Sequence, residues 1–210
     1  IGAQFIAGLK KDGTVINTEP SGHLKLDLTE WADIQQIVVQ NNFIIGLKTD
    51  GTLINAGWVY FEPNLLNSWT EIQQVTTGPY HSAGLKTDGT VLFAGYMADS
   101  PGWADIKQVM AGWGFTVGLK SDGTVVAMGS NPNGQCNVDD WSEVQQIATG
   151  KDHTVGLKVN GTVVSTGKNA KGQCDVDSWS GIQQVAAGDE HSVGLKNDGT
   201  VVDTAHELSH

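Results

Sequence analysis

The chain of 210 residues repeats itself about every 38 residues, and this limits what it can fold into more than any other feature. Gly-Leu-Lys begins at Gly8, Gly46, Gly84, Gly118, Gly156 and Gly194, in steps of 38, 38, 34, 38 and 38. Asp-Gly-Thr follows from Asp12, Asp50, Asp88, Asp122 and Asp198, with Asn160 in place of the Asp in the remaining copy. Trp-x-x-Ile or Trp-x-x-Val recurs at Trp31, Trp69, Trp103, Trp141 and Trp179, each followed by Gln-Gln or Lys-Gln. The third copy lacks four residues, all between Gly95 and Trp103. Units of this length cannot bury an apolar face alone, so they must stack on one another.

The stretch from Val144 to Ser180 shows the composition of one unit. Residues 144–150 read as a first strand (A), 153–158 as a second (B) and 162–167 as a third (C). Residues 159–161 form a tight turn between B and C, where Gly supplies a positive φ and Asn or Asp precedes it. Residues 168–180 return to the next A strand, and no helical periodicity of useful length is visible. The expected fold is all-β: a β-propeller of about six blades of ~38 residues, with a seven-bladed or incompletely closed ring as the alternative and a β-solenoid as competitor. A single domain is expected over residues 1–210, with units at about 2–31, 32–69, 70–103, 104–141, 142–179 and 180–202 and a tail at 203–210. Six B–C hairpins stand against only five A strands, so closure is the irregular part.

Ala-Gly-x-x-His-Ser-x-Gly-Leu-Lys-x-Asp-Gly-Thr-Val, then Gly-x-Asn-x-x-Gly-Gln, resembles the RCC1 (regulator of chromosome condensation) repeat, most closely at 187–202, 149–173 and 129–136. The even spacing is more similar to bacterial RCC1-like propellers, the secreted β-lactamase inhibitor among them, than to the eukaryotic exchange factor. That resemblance implies a binding module that meets partners through one loop face. With the opening at Ile1 rather than Met, it leads us to expect a secreted or cell-surface bacterial protein. The first two copies depart from the pattern: neither has Gly-x-Asn-x-x-Gly-Gln, and Gln40 replaces the Gly before strand B.

Charge removes several classes. Twelve Lys, no Arg and 23 acidic residues give a net charge of -11, which argues against nucleic acid, an anionic membrane surface and exchange activity on a small GTPase. No apolar run approaches the ~18 residues of a membrane span, so no membrane insertion is expected. Neither GxSxG, HExxH nor a phosphate-cradling glycine loop is present, so we expect no enzyme and no cofactor. Asp139, Asp140, Asp189 and Glu190 read as surface solvation. The periodic Trp residues read as one packing slot per unit. His81, His153 and His191 share a repeat position with Phe5, Phe43 and Phe115, which makes it a packing site; on separate blades these His should not converge on a metal. Cys136 and Cys174, at equivalent positions of neighbouring units, are expected to be buried free thiols.

Function should show where the chain departs from its repeat. The A–B and post-C loops should share one face. The A–B pairs are Ala3-Gln4, Asn41-Asn42, Pro79-Tyr80, Trp113-Gly114, Lys151-Asp152 and Asp189-Glu190. All three Tyr and both off-period Trp fall in these loops, on units two to four. The expected partner-binding set is therefore Trp58, Tyr60, Phe61, Tyr80, Tyr96 and Trp113, an aromatic centre with a polar rim. A protein partner is the first expectation. A glycan is the second, with Asn41, Asn42, Asn64 and Asp99 beside the rings, and self-association as a structural subunit of a surface assembly is the third. Inhibition of a β-lactamase is not expected, because only Pro79-Tyr80 and Trp113-Gly114 place an aromatic in an A–B loop.

Overall fold

The hairpin turns show why the repeat takes this form. Thr162 donates its backbone N–H and its hydroxyl to Asn160 Oδ1, at 3.0 and 2.7 Å. The same clasp closes on Asp12, Asp50, Asp88, Asp122 and Asp198. The Thr hydroxyl, then its N–H, holds each of these exposed carboxyls below the usual Asp range. Gly161 follows at φ +79°, a conformation that a Cβ would oppose. The chain therefore reverses at a fixed place, and Thr-Val restarts an extended strand.

The structure is a computed structural model that describes residues 6–18, 26–40, 42–59, 63–97 and 102–204. They fall into two compact units, Ile1–Ala104 and Asp105–His210, each taken by itself. In the first unit, β1 (Ala7–Leu9) and β2 (Val15–Asn17) make a two-stranded sheet. β3 (Ile34–Gln40), β4 (Phe43–Lys48) and β5 (Leu53–Gly57) make the next, and β6 (Ile72–Thr77), β7 (His81–Lys86) and β8 (Val91–Gly95) a third. The second unit holds β9 (Ile106–Ala111), β10 (Phe115–Lys120) and β11 (Val125–Gly129). There follow β12 (Val144–Thr149), β13 (His153–Lys158) and β14 (Val163–Gly167), then β15 (Ile182–Ala187), β16 (Ser192–Lys196) and β17 (Val201–Asp203). All pairings are antiparallel, in the order A–B–C. The six hairpins and five A strands read from the sequence are present. The first hairpin has no A strand among the described residues.

The Gln-Gln pair does two separate jobs. A bulge after the first A residue turns the two side chains apart. The first Gln stays in its own sheet: Gln35, Gln73, Gln145 and Gln183 donate to the carbonyls of Lys48, Lys86, Lys158 and Lys196. The second crosses to the next sheet. Gln36 donates to the Val75 carbonyl at 2.8 Å and accepts from the Val75 N–H at 3.0 Å. Gln108 does the same with Ile147, and Gln146 with Val185. Four sheets also hold their successors through the turn, since the carbonyls of Gly13, Gly51, Gly123 and Gly161 accept from the first A-strand N–H of the following repeat.

The periodic Trp residues are packing elements, as expected. Trp31, Trp69, Trp141 and Trp179 are buried, and their rings lie on Gly46, Gly84, Gly156 and Gly194 at the middle of strand B. A Cβ on Gly156 would stand 2.7 Å from the Trp141 ring, so the Gly of Gly-Leu-Lys makes room for the indole. Trp103 is half-buried and meets Phe93 edge-to-face at 5.5 Å. A fourth element of the core was not read from the sequence. Leu28, Leu66, Val138 and Val176, three residues before a Trp, are buried, and each accepts a bond from that Trp N–H.

The return after β5 contains a five-residue helix, α1 (Pro63–Asn67), which brings Leu66 into the core with Phe43, Ile45 and Trp69. It is too short to leave a helical period in the sequence.

Candidate functional site

In each sheet the chain enters strand B from the A–B loop and leaves strand C beside it. A backbone bond ties the two exits. Trp58 N–H donates to the Asn42 carbonyl at 2.8 Å, and Tyr96 N–H to the Tyr80 carbonyl at 3.1 Å. In the second unit Ser130 bonds to Gly114 and Lys168 to Asp152 in the same way. The A–B and post-C loops of a sheet therefore emerge together, as the sequence implies.

Within the first unit this geometry presents three rings. Trp58 is 69% exposed, Tyr80 49% and Tyr96 79%. Tyr80 and Tyr96 flank one sheet end, joined by the bond just described. Trp58 stands at the corresponding end of the β3–β5 sheet, whose Gln40 reaches across to the Thr77 carbonyl of the Tyr80 sheet at 3.2 Å. Residues that follow these rings turn inward: Val59 and Met97 are buried. Tyr60 and Phe61 lie outside the described residues, as do Asn41 and Asp99.

Trp113 belongs to the second unit and is 39% exposed. Its N–H donates to the Lys151 carbonyl at 3.2 Å, and Lys151 Nζ sits 3.6 Å from the ring centroid. A cation over the indole face fixes the ring partly in place. The sequence marks Lys151 only as a polar loop residue; that it caps Trp113 follows from the pairing of adjacent A–B loops.

Elsewhere in the second unit, loops that follow the repeat pattern spend their polar side chains on themselves. Asn131 Oδ1 accepts from Cys136 N–H at 2.8 Å, Gln135 Oε1 accepts from Asn133 N–H, and Asn131 Nδ2 donates to Asn137. Asn169, Gln173 and Asp175 repeat this arrangement. The carbonyls of Gln135 and Gln173 then take hydroxyl bonds from Thr154 and Ser192 of the next sheet, both at 2.7 Å. Gly-x-Asn-x-x-Gly-Gln is thus a loop lock. Cys136 and Cys174 are free thiols inside it, half-buried rather than fully buried, because the loop that covers them is itself at the surface. Burial pushes the Cys136 thiol up to about 11 and raises Cys174 as well.

The shared Phe/His position is a packing site. Phe43, His81, Phe115 and His153 are buried, whereas His191 is exposed. The buried His153 meets the following sheet. His153 Nε2 lies 3.0 Å from Ser192 Oγ, and its pKa falls to about 4 through burial first and the neighbouring His191 second. Among the described residues no three His, Cys, Asp or Glu side chains are grouped to hold a metal ion.

A repeated three-stranded sheet whose A strand docks on its predecessor defines a β-propeller of the repeat class. Residues 106–135, 144–173 and 182–202 match the regulator of chromosome condensation (RCC1) repeat, so the second unit carries RCC1 repeats and the fold is that of a β-propeller built from them. Solved structures share the fold. The ectodomain of the Physcomitrella patens receptor kinase CR4 is 17% identical at a TM-score of 0.75, over 100% of this chain and 62% of its own. The ectodomain of the Arabidopsis thaliana receptor kinase ACR4 is 22% identical at 0.76, over 96% of this chain and 77% of its own. Prp20p from Saccharomyces cerevisiae is 15% identical at 0.75, over 97% of this chain and 70% of its own. This chain thus spans less than two thirds of the length of the first of them. No curated protein matches it in sequence.

Proposed function

We propose that this chain is a non-enzymatic protein-binding propeller whose partner docks on loops carrying Trp58, Tyr60, Phe61, Tyr80, Tyr96 and Trp113. One observation carries the reading: where loops depart from the repeat's self-locking pattern, they present large rings to solvent. Trp58, Tyr80 and Tyr96 are 69%, 49% and 79% exposed. Rings of this size supply much binding energy at low entropic cost, which is why Trp and Tyr dominate interface centres. The similar fold of Prp20p, studied for its binding to Gsp1p and histones, supports a protein rather than a small-molecule partner. A place outside the cell belongs to the same proposal.

Affinity capture from the source organism tests it, with three baits: the chain as it is, Tyr80→Ala/Tyr96→Ala, and Trp113→Ala. Loss of a central aromatic anchor costs ~2 kcal/mol or more, about thirtyfold in affinity. A protein held by the chain and lost by the Tyr pair supports docking on the first unit's loops, and loss with Trp113→Ala extends the surface to the second. Equal capture by all three baits removes the loops from the proposal. A monosaccharide that shifts Trp fluorescence at millimolar concentration would replace it with a lectin reading.

A further inference from the structure

An Asp or Asn directly before a Gly is chemically labile. Glycine has no Cβ, so its backbone nitrogen can approach the side-chain carbonyl carbon of the residue before it. Six of the seven such pairs in the chain are the hairpin turns described above; the seventh is Asn133-Gly134. Of the seven, only Asn133 and Asn160 carry an amide, which can leave as ammonia.

The turn around Asn160 holds both reacting groups. Its Oδ1 accepts from the Thr162 N–H and hydroxyl, which keeps the carboxamide turned toward Thr162. The Gly161 N–H donates to the Lys158 carbonyl at 3.0 Å, and the Gly161 carbonyl accepts from Ile182 N–H of the next sheet. Gly161 is buried, and a Cβ there would meet the Gly181 and Ile182 backbone at 3.4 Å. Asn133-Gly134 is held far less. Asn133 is exposed, and its side chain makes no hydrogen bond among the described residues; only its N–H is engaged, with Gln135 Oε1. The Gly134 N–H reaches the Asn131 carbonyl at 3.3 Å, against 3.0–3.1 Å for the Gly N–H of the six turns. The next loop lock has Lys171-Gly172 at this place, so the pair is peculiar to one copy.

We infer that Asn133 is a site of spontaneous covalent modification by water, and that the turn protects Asn160 from the same reaction. The Gly134 nitrogen loses its proton and bonds to Asn133 Cγ. The Cγ–Nδ2 bond breaks, and the amide leaves with that proton as ammonia. Water then opens the cyclic imide at one of its two carbonyls. One water is consumed, one ammonia is released, and nothing is oxidised or reduced. Opening at the side-chain carbonyl gives Asp; opening at the main-chain carbonyl gives isoaspartate. The products act differently on the loop lock. Asp adds a charge at an exposed position and leaves the backbone in register. Isoaspartate lengthens the main chain by one methylene, directly before the Gly134 and Gln135 carbonyls that the Thr166 and Thr154 hydroxyls hold at 2.9 and 2.7 Å. Isoaspartate therefore releases the lock.

The test follows both Asn residues by peptide mass spectrometry in warm, mildly alkaline buffer, in the folded chain and in the chain unfolded in urea. Incubation continues until both have converted in urea, where neither turn nor lock exists. In the folded chain Asn133 should convert while Asn160 lags by about tenfold or more, because its turn must open first. Enzymatic methylation of isoaspartate should mark residue 133, and Asn133→Lys, which copies Lys171, should leave the folded chain unmarked. The separated isoaspartyl form should melt below the parent chain, whereas Asn133→Asp should melt at the parent's midpoint. Equal rates at the two residues in the folded chain, faster conversion at Asn160, or protection of both would overturn the inference. An isoaspartyl form that melts with the parent would overturn its link to the lock.

Discussion

The post-C loops of the second unit and the loop ends of the first are built at the same place on the same repeat, yet they do opposite things. In residues 130–137 and 168–175, Asn131, Gln135, Asn169 and Gln173 bond to the loop's own backbone, with the two Gln buried. The following sheet then grips their carbonyls. In the first unit Trp58 and Tyr96 take the corresponding exit, and their rings remain in water. Once a loop is locked it has little left to offer a partner. Where the lock is missing, an inward Val59 or Met97 anchors the chain and the preceding ring becomes available.

Four tests bear on that contrast, in falling order of effect. Both units rest on the Trp–Gly stack, so Trp141→Ala should cost about 3–5 kcal/mol in denaturant unfolding, and Trp69→Ala should cost a similar amount. A marked inequality would show that the two frameworks are not equivalent. The second effect is specific to the locked region and depends on acid. His153 titrates near 4 when folded and near 6.5 when unfolded, so the unfolded chain binds the proton more readily. Its neutral form stabilises fully above pH 6.5, and that contribution is lost as pH falls through the window down to about 4. The loss approaches roughly 3 kcal/mol, from about 1.4 kcal/mol per pKa unit. His153→Phe, which copies Phe43 and Phe115, should flatten stability across this window. The turn aspartates lose their stabilising contribution only at lower pH, because their folded values lie below 3.8. An unchanged pH profile would remove His153 from the account.

Thr154→Val comes third. It deletes the buried hydroxyl that holds the Gln135 carbonyl at 2.7 Å, and should cost about 1–3 kcal/mol by calorimetry. Tyr96→Ala is the smallest: with the ring 79% exposed, stability should move by no more than about 0.5 kcal/mol. A larger loss would mean that Tyr96 belongs to the framework, and it would dissolve the contrast between locked and presenting loops.

Much of the framework could be read in advance. The bounds of β12, β13 and β14 fall within a residue of those expected, because each is punctuated by a Gly or an Asn-Gly turn. The Trp slot was legible from its period, but its Gly46, Gly84 and Gly156 floor was not, since the two lie on different strands. Helix α1 was hidden because a single turn leaves no period. Exposure of Trp58, Tyr80 and Tyr96 followed correctly from loop position. The capping of Trp113 by Lys151 did not, because it depends on two A–B loops 38 residues apart being brought side by side.

The sequence by itself determined the strands, the turns and their order, because those depend on local dihedral preference and on an alternation that recurs within each repeat. Tertiary structure decided what the polar residues of the repeat are for. One Gln stays in its sheet and the next crosses to a neighbour, and the same repeat position holds a buried His153 in one sheet and an exposed His191 in another. These outcomes depend on which backbone groups lie within about 3 Å across an interface, a distance no local pattern encodes.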